Sequence, residues 1–140
     1  MKELTKEEIK EIAEQLDCGF LCYLNKETGK ILFVPDEMRF SDIDEEAWAD
    51  EFKELEENPL DYAEIEPMRS RDSFEVMADF ARELPDSEPL KERLFKALNS
   101  GKPFWGFKYE IDDSDYREAW FKFKDERMRE WVVERFEEIK

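Results

Sequence analysis

The sequence predicts an α+β fold: a small antiparallel sheet, made of a hairpin plus a third strand, packed by about five helices and ending in a helical C-terminal region. Three observations lead to it. Apolar residues recur at helical spacing in five segments, two short runs rich in aromatic and branched residues flank a glycine-containing turn, and a third run alternates polar with apolar. Twelve Phe, four Trp and four Tyr supply the large apolar side chains that a disordered acidic chain lacks, although 44% of residues are charged. At 140 residues the chain fits one domain, 1–140. That length can bury roughly two-thirds of its unfolded surface without a disulfide or metal.

Thr5 followed by Glu8 forms a capping box, and Ile9, Ile12, Ala13 and Leu16 then mark an amphipathic helix over 5–16. Strands follow over 20–24 and 31–34, joined by Asn25-Lys26-Glu27-Thr28-Gly29. Both are apolar on both faces, which requires cover on each side or a central position. A lone hairpin is marginal. A third strand is expected over 61–66, where Tyr62, Glu64 and Glu66 alternate with Ala63 and Ile65 before Pro67 stops it. Cys18 and Cys22 read as members of one strand. Four residues then span ~13 Å, too far for a disulfide, so both are expected to be reduced core residues.

A helix over 44–57 sets Trp48, Phe52 and Leu55 on one stripe and stops at Asn58-Pro59. Asp72 with Glu75 opens the next, with Phe74, Met77, Ala78, Ala81 and Leu84 inward as far as Pro85. Pro89 starts a further helix that buries Leu90, Leu94, Ala97 and Leu98 and stops at Asn99-Ser100-Gly101, giving a helical hairpin. From Asp115 onward the pattern is helical again. Tyr116, Trp120 and Phe123 form one stripe, but Met128, Trp131, Val132, Phe136 and Ile139 resume out of phase, which predicts a bend or break at 124–127.

Several strings carry a likeness when taken in order: Cys22-Tyr23-Leu24-Asn25 with Thr28-Gly29, Ser73-Phe74-Glu75-Val76-Met77-Ala78-Asp79-Phe80, Leu94-Phe95-Lys96-Ala97-Leu98, Lys102-Pro103-Phe104-Trp105-Gly106-Phe107-Lys108 and Trp120-Phe121-Lys122-Phe123. The chain resembles uncharacterised protein family 0158, small acidic bacterial proteins. The resemblance covers nearly the whole chain and implies a bacterial or archaeal stand-alone domain, but no activity, cofactor or catalytic residue. The segment 1–17 lies before the strings that carry it and reads as an N-terminal extension.

Much chemistry is excluded. With no histidine, His-based catalysis and His-ligated zinc are unavailable to one subunit. Four scattered glycines cannot build a phosphate-cradling loop, and two cysteines cannot build a structural zinc site. The acidic clusters Asp42-Ile43-Asp44-Glu45-Glu46 and Asp112-Asp113-Ser114-Asp115 lack the EF-hand pattern and read as helix starts. No cofactor is expected. The first ten residues lack a secretory apolar core and no uncharged run of ~18 residues follows, so the expectation is a cytoplasmic protein with no membrane contact.

Charge is unevenly spread. Residues 36–66 hold fourteen Asp or Glu against Arg39 and Lys53, a net of −12 out of the chain's −17. Such a field keeps a protein soluble, and it can also steer a basic protein partner. Glu45, Glu46, Asp50, Glu54 and Glu57 are the candidate partner surface, expected to face solvent. A contrasting aromatic-basic patch comprises Lys102, Trp105, Lys108, Phe121 and Lys124, while Phe104, Phe107, Trp120 and Phe123 are expected to complete the core. Direct nucleic-acid binding is not expected, because the overall charge repels phosphate within a Debye length of about 8–10 Å. The leading expectation is a non-catalytic regulatory or protein-interaction protein; the alternative is a carboxylate-dependent hydrolase or metal-binding enzyme.

Overall fold

The computed structural model of the chain describes residues 3–40 and 42–140. Its elements are α1 (Lys6–Asp17), β1 (Phe20–Asn25), β2 (Ile31–Pro35), α2 (Ala49–Glu57), β3 (Tyr62–Ile65), α3 (Ser70–Glu83), α4 (Pro89–Leu98), α5 (Pro103–Asp112) and α6 (Arg117–Ile139). The α+β class, the antiparallel sheet and the helical C-terminal region are as the sequence predicts. The described residues hold six helices rather than about five, because α5 occupies a stretch the pattern left unassigned. The chain divides into two compact units: one runs to Pro67 and takes in Met128–Lys140, the other is Met68–Arg127.

In the first unit the capping box forms as the sequence requires: Thr5 Oγ1 accepts the Glu8 N–H at 3.1 Å and Glu8 Oε1 accepts the Thr5 N–H at 2.9 Å. In the hairpin turn, Asn25 Oδ1 accepts the N–H groups of Glu27 and Thr28, each at 2.9 Å. Gly29 there has φ +77°, a conformation that costs glycine little. The sheet order is β2-β1-β3, all antiparallel, with Tyr23 opposite both Leu32 and Glu64. The central position of β1 explains why it is apolar on both faces. Ile12 and Leu16 of α1, Leu24, Ile65, and Met128, Val132 and Phe136 of α6 are buried in this unit. The Trp131 indole N–H donates to the Glu66 carbonyl at 2.7 Å, so α6 is anchored just past β3.

The two cysteines differ from expectation. Cys22 is buried on β1, but Cys18 is exposed at the C-cap of α1, because the helix runs on to Asp17 and the strand begins only at Phe20. Burial first, then the Glu11 and Glu64 carboxylates, push the Cys22 thiol up to about 12. A thiol reagent at pH 8 should therefore titrate one cysteine in the native protein and two after denaturation. Rapid reaction of both in the native state would contradict this burial.

The helix expected over 44–57 begins only at Ala49. Asp44 Oδ1 accepts the Glu46 N–H at 3.1 Å and the Asp44 carbonyl accepts the Ala47 N–H at 3.1 Å, so a local turn captures groups that a longer helix would use. Trp48 precedes α2 and rests its ring 5.5 Å from that of Phe20. Phe52 and Leu55 are half-buried, and no α2 residue is fully buried.

In the second unit α3 starts at Ser70, and Asp72 lies inside its first turn rather than before it, its carboxylate accepting the Arg69 N–H at 3.1 Å. Lys91 Nζ donates to the carbonyls of Arg82 and Leu84 at 3.2 and 2.9 Å, closing the C-terminal end of α3 from α4. Leu90, Leu94, Leu98, Phe107, Ile111 and Trp120 form the centre of this unit's core with Met77 and Ala81. No break occurs at 124–127: α6 is continuous. Its stripe shifts because the helix changes surroundings, with Trp120 edge-on to Phe107 and Phe80 in the second unit and Val132 and Phe136 buried in the first.

Candidate functional site

A groove opens in the first unit where the chain leaves β2 and returns through α2. Asp36 Oδ1 accepts the Met38 N–H at 2.9 Å and the Asp36 carbonyl accepts the Arg39 and Phe40 N–H groups at 3.0 and 3.1 Å, a tight turn that presents Glu37. The groove measures about 490 Å³ and is lined by Glu37, Glu45, Ala49, Phe52, Leu55 and Glu56. Three apolar side chains thus lie among three carboxylates. Of the fourteen carboxylates in 36–66 ten are exposed, and among the described residues none of them forms an ion pair.

Glu45, Glu46, Asp50 and Glu57 face solvent as the sequence predicts, and of these Glu45 lines the groove. Glu54 does not. It is half-buried and its Oε1 accepts the Tyr62 hydroxyl at 3.0 Å, a bond between α2 and β3 that helical spacing alone could not reveal. Glu37 and Glu56 were missed as lining residues, since the first meets α2 only through tertiary packing. The stripe of Phe52 and Leu55 was the visible signal: a two-turn helix with half-buried apolar residues leaves part of them uncovered.

Carboxylate crowding also strains the sheet electrostatically. Burial first, then the Glu66 and Asp36 carboxylates, raise the Glu64 carboxyl above its ordinary value of 4.5. An acid whose folded value is raised binds its proton more tightly when folded, so it lowers stability above that value and costs nothing well below 4.5. Glu64→Gln should accordingly be more stable than wild type at pH 7, with the gain shrinking as pH falls towards 4. Denaturant midpoints across that range would show it; a gain that grows on acidification would reverse the sign argued here.

The second unit presents a different surface on α5. Phe107 and Ile111, four residues apart, point into the core, which turns Trp105 and Tyr109 outward at 66% and 63% exposure. Their rings stack at 5.4 Å with an interplanar angle of 15°. Lys102 and Lys108 are exposed on the same stretch, and no acid lies between 102 and 109. Phe104 is exposed rather than core: it lies in the first turn of α5, and although its spacing puts it on the side of Phe107, it remains 44% exposed there. Tyr109, absent from the expected patch, completes it. Phe121 and Lys124 lie instead on α6, Phe121 exposed beneath the Arg117 guanidinium at 4.8 Å and Lys124 half-buried.

The other acidic cluster bridges the end of α5 and the start of α6. Asp112 approaches Arg117 at 3.5 Å, and Ser114 Oγ accepts the Tyr116 N–H at 3.2 Å. Among the described residues no three His, Cys, Asp or Glu side chains are grouped to hold a metal ion, and no helix is long and apolar enough to cross a membrane.

The family model described as Uncharacterised protein family (UPF0158) matches residues 3–140, so the match takes in α1 as well as the segments after it. No curated protein and no solved structure matches the chain.

Proposed function

We propose that this chain, which belongs to the uncharacterised protein family UPF0158, is a non-catalytic regulatory or interaction protein that docks a basic, amphipathic protein segment in the groove lined by Glu37, Glu45, Ala49, Phe52, Leu55 and Glu56. The observation that carries the reading is the combination in one groove of apolar side chains with unpaired carboxylates. Burying an anchor on Phe52 and Leu55 supplies affinity, and the surrounding field supplies steering and selection for positive charge. The exposed free thiol of Cys18 supports a setting in the reducing cytoplasm, where thiols persist.

The test begins with capture of the partner from the native cell and its identification. Binding kinetics are then compared for wild type and the triple variant Glu37→Gln, Glu45→Gln, Glu56→Gln at low and moderate salt. These exposed carboxylates contribute only about 0–1 kcal/mol each to stability, so folding should persist. Association should slow by roughly tenfold and its salt dependence flatten, with dissociation changing less. Unchanged association rates and salt slopes would return the groove to a merely solvated surface.

A further inference from the structure

The groove has a counterpart on the same chain. It offers three carboxylates around Ala49, Phe52 and Leu55; α5 offers Lys102 and Lys108 around the stacked Trp105 and Tyr109, with no acid among residues 102–109. Each surface carries the charge that the other lacks, and both present apolar side chains that could be buried together. A Trp 66% exposed beside a Tyr 63% exposed is a large apolar area for a helix to leave in water, and aromatic anchors of this kind concentrate in interface cores. The Trp105 indole is rigid, which lowers the entropy lost when it is buried.

We propose that the aromatic-basic face of α5 in one copy docks in the acidic groove of a second copy, with Trp105 against Phe52 and Leu55 and Lys108 among Glu37, Glu45 and Glu56. This rests on the groove reading given above and names a second copy of the chain as an occupant. Because the two surfaces differ, a pair of copies can exchange both contacts across a two-fold axis, or each copy can pass its free groove or free α5 to a further copy, giving chains or rings. Salt should act in two directions. At about 0.01 M the Debye length is about 30 Å, and the net charge of −17 on each copy opposes approach. At about 0.15 M only the local lysine–carboxylate attraction survives, and near 1 M that too is screened.

Sedimentation velocity of the full chain tests this. Wild type should self-associate with rising concentration at about 0.15 M salt and less at both extremes. Trp105→Ala with Lys108→Glu blocks α5; Glu45→Lys with Glu56→Lys blocks the groove. Each double variant alone should remain monomeric, and an equimolar mixture should form a dimer and nothing larger, since only one complementary pair of surfaces is left. Circular dichroism checks folding, and Lys108→Gln and Glu45→Gln repeat the reading, as weaker association, if a charge reversal unfolds its host. A wild type monomeric at every salt, an assembly that neither variant disrupts, or a mixture that fails to pair would overturn the proposal. If a basic partner still binds the groove while the chain stays monomeric, this inference alone fails; if the chain assembles but partner kinetics ignore the groove carboxylates, the earlier reading fails instead.

Discussion

Phe107→Ala should lower the stability of the Met68–Arg127 unit by about 3–5 kcal/mol. Phe107 is 1% exposed and ranks among the largest fully buried side chains, with its ring 4.8 Å from Trp120 in an edge-on contact. Truncation removes the transfer energy of the ring, the aromatic pairing with Trp120 and the contacts that neighbours cannot recover by collapse. Trp105→Ala, two residues away but 66% exposed, should cost under about 0.5 kcal/mol. The contrast between these two substitutions on one helix is what urea melts should register, in whichever transition reports on this unit. Near-equal losses would mean that α5 does not sit with Phe107 inward and Trp105 outward.

That orientation was legible in part. Local signals carried what local physics decides: Thr5 and Glu8 fixed the start of α1, Asn25 and Gly29 fixed the hairpin turn, and the alternation from Tyr62 to Ile65 fixed β3. α5 escaped because its apolar residues surround the helix, so density of aromatics hid the single inward pair of Phe107 and Ile111. The out-of-phase stripe of α6 was a true signal given the wrong cause, since a helix that changes surroundings shifts its apolar face without breaking. Acidity over 36–66 was plain in the sequence, being a property of residue type alone. The groove was not, because Glu37 comes to α2 only through packing, and Glu54 is withdrawn from solvent by Tyr62, a residue on another element.

Gly106 shows how closely α5 must approach α4, and Gly106→Val should destabilise the same unit by about 1–3 kcal/mol. A Cβ at position 106 would lie 3.1 Å from Ala97 Cβ and 3.6 Å from its Cα, so the obstacle is a short side chain and backbone with little freedom to move aside. For Gly106→Ala two effects oppose each other. Replacing glycine within a helix gains about 0.5–1 kcal/mol, whereas the methyl group requires α4 and α5 to separate by a few tenths of an ångström. The result should fall within about 1 kcal/mol of wild type, because a shift that small forfeits only part of the contact energy. Valine meets the same obstacle with two further methyl groups and a stiff χ1, and its helix propensity recovers less, so crowding wins. The melting temperatures of the three proteins should therefore rank wild type and Gly106→Ala close together and Gly106→Val several degrees below. A Gly106→Val protein as stable as wild type would show that α4 and α5 are not in contact at Ala97, and the outward presentation of Trp105 and Lys108, which depends on that contact, would lose its basis.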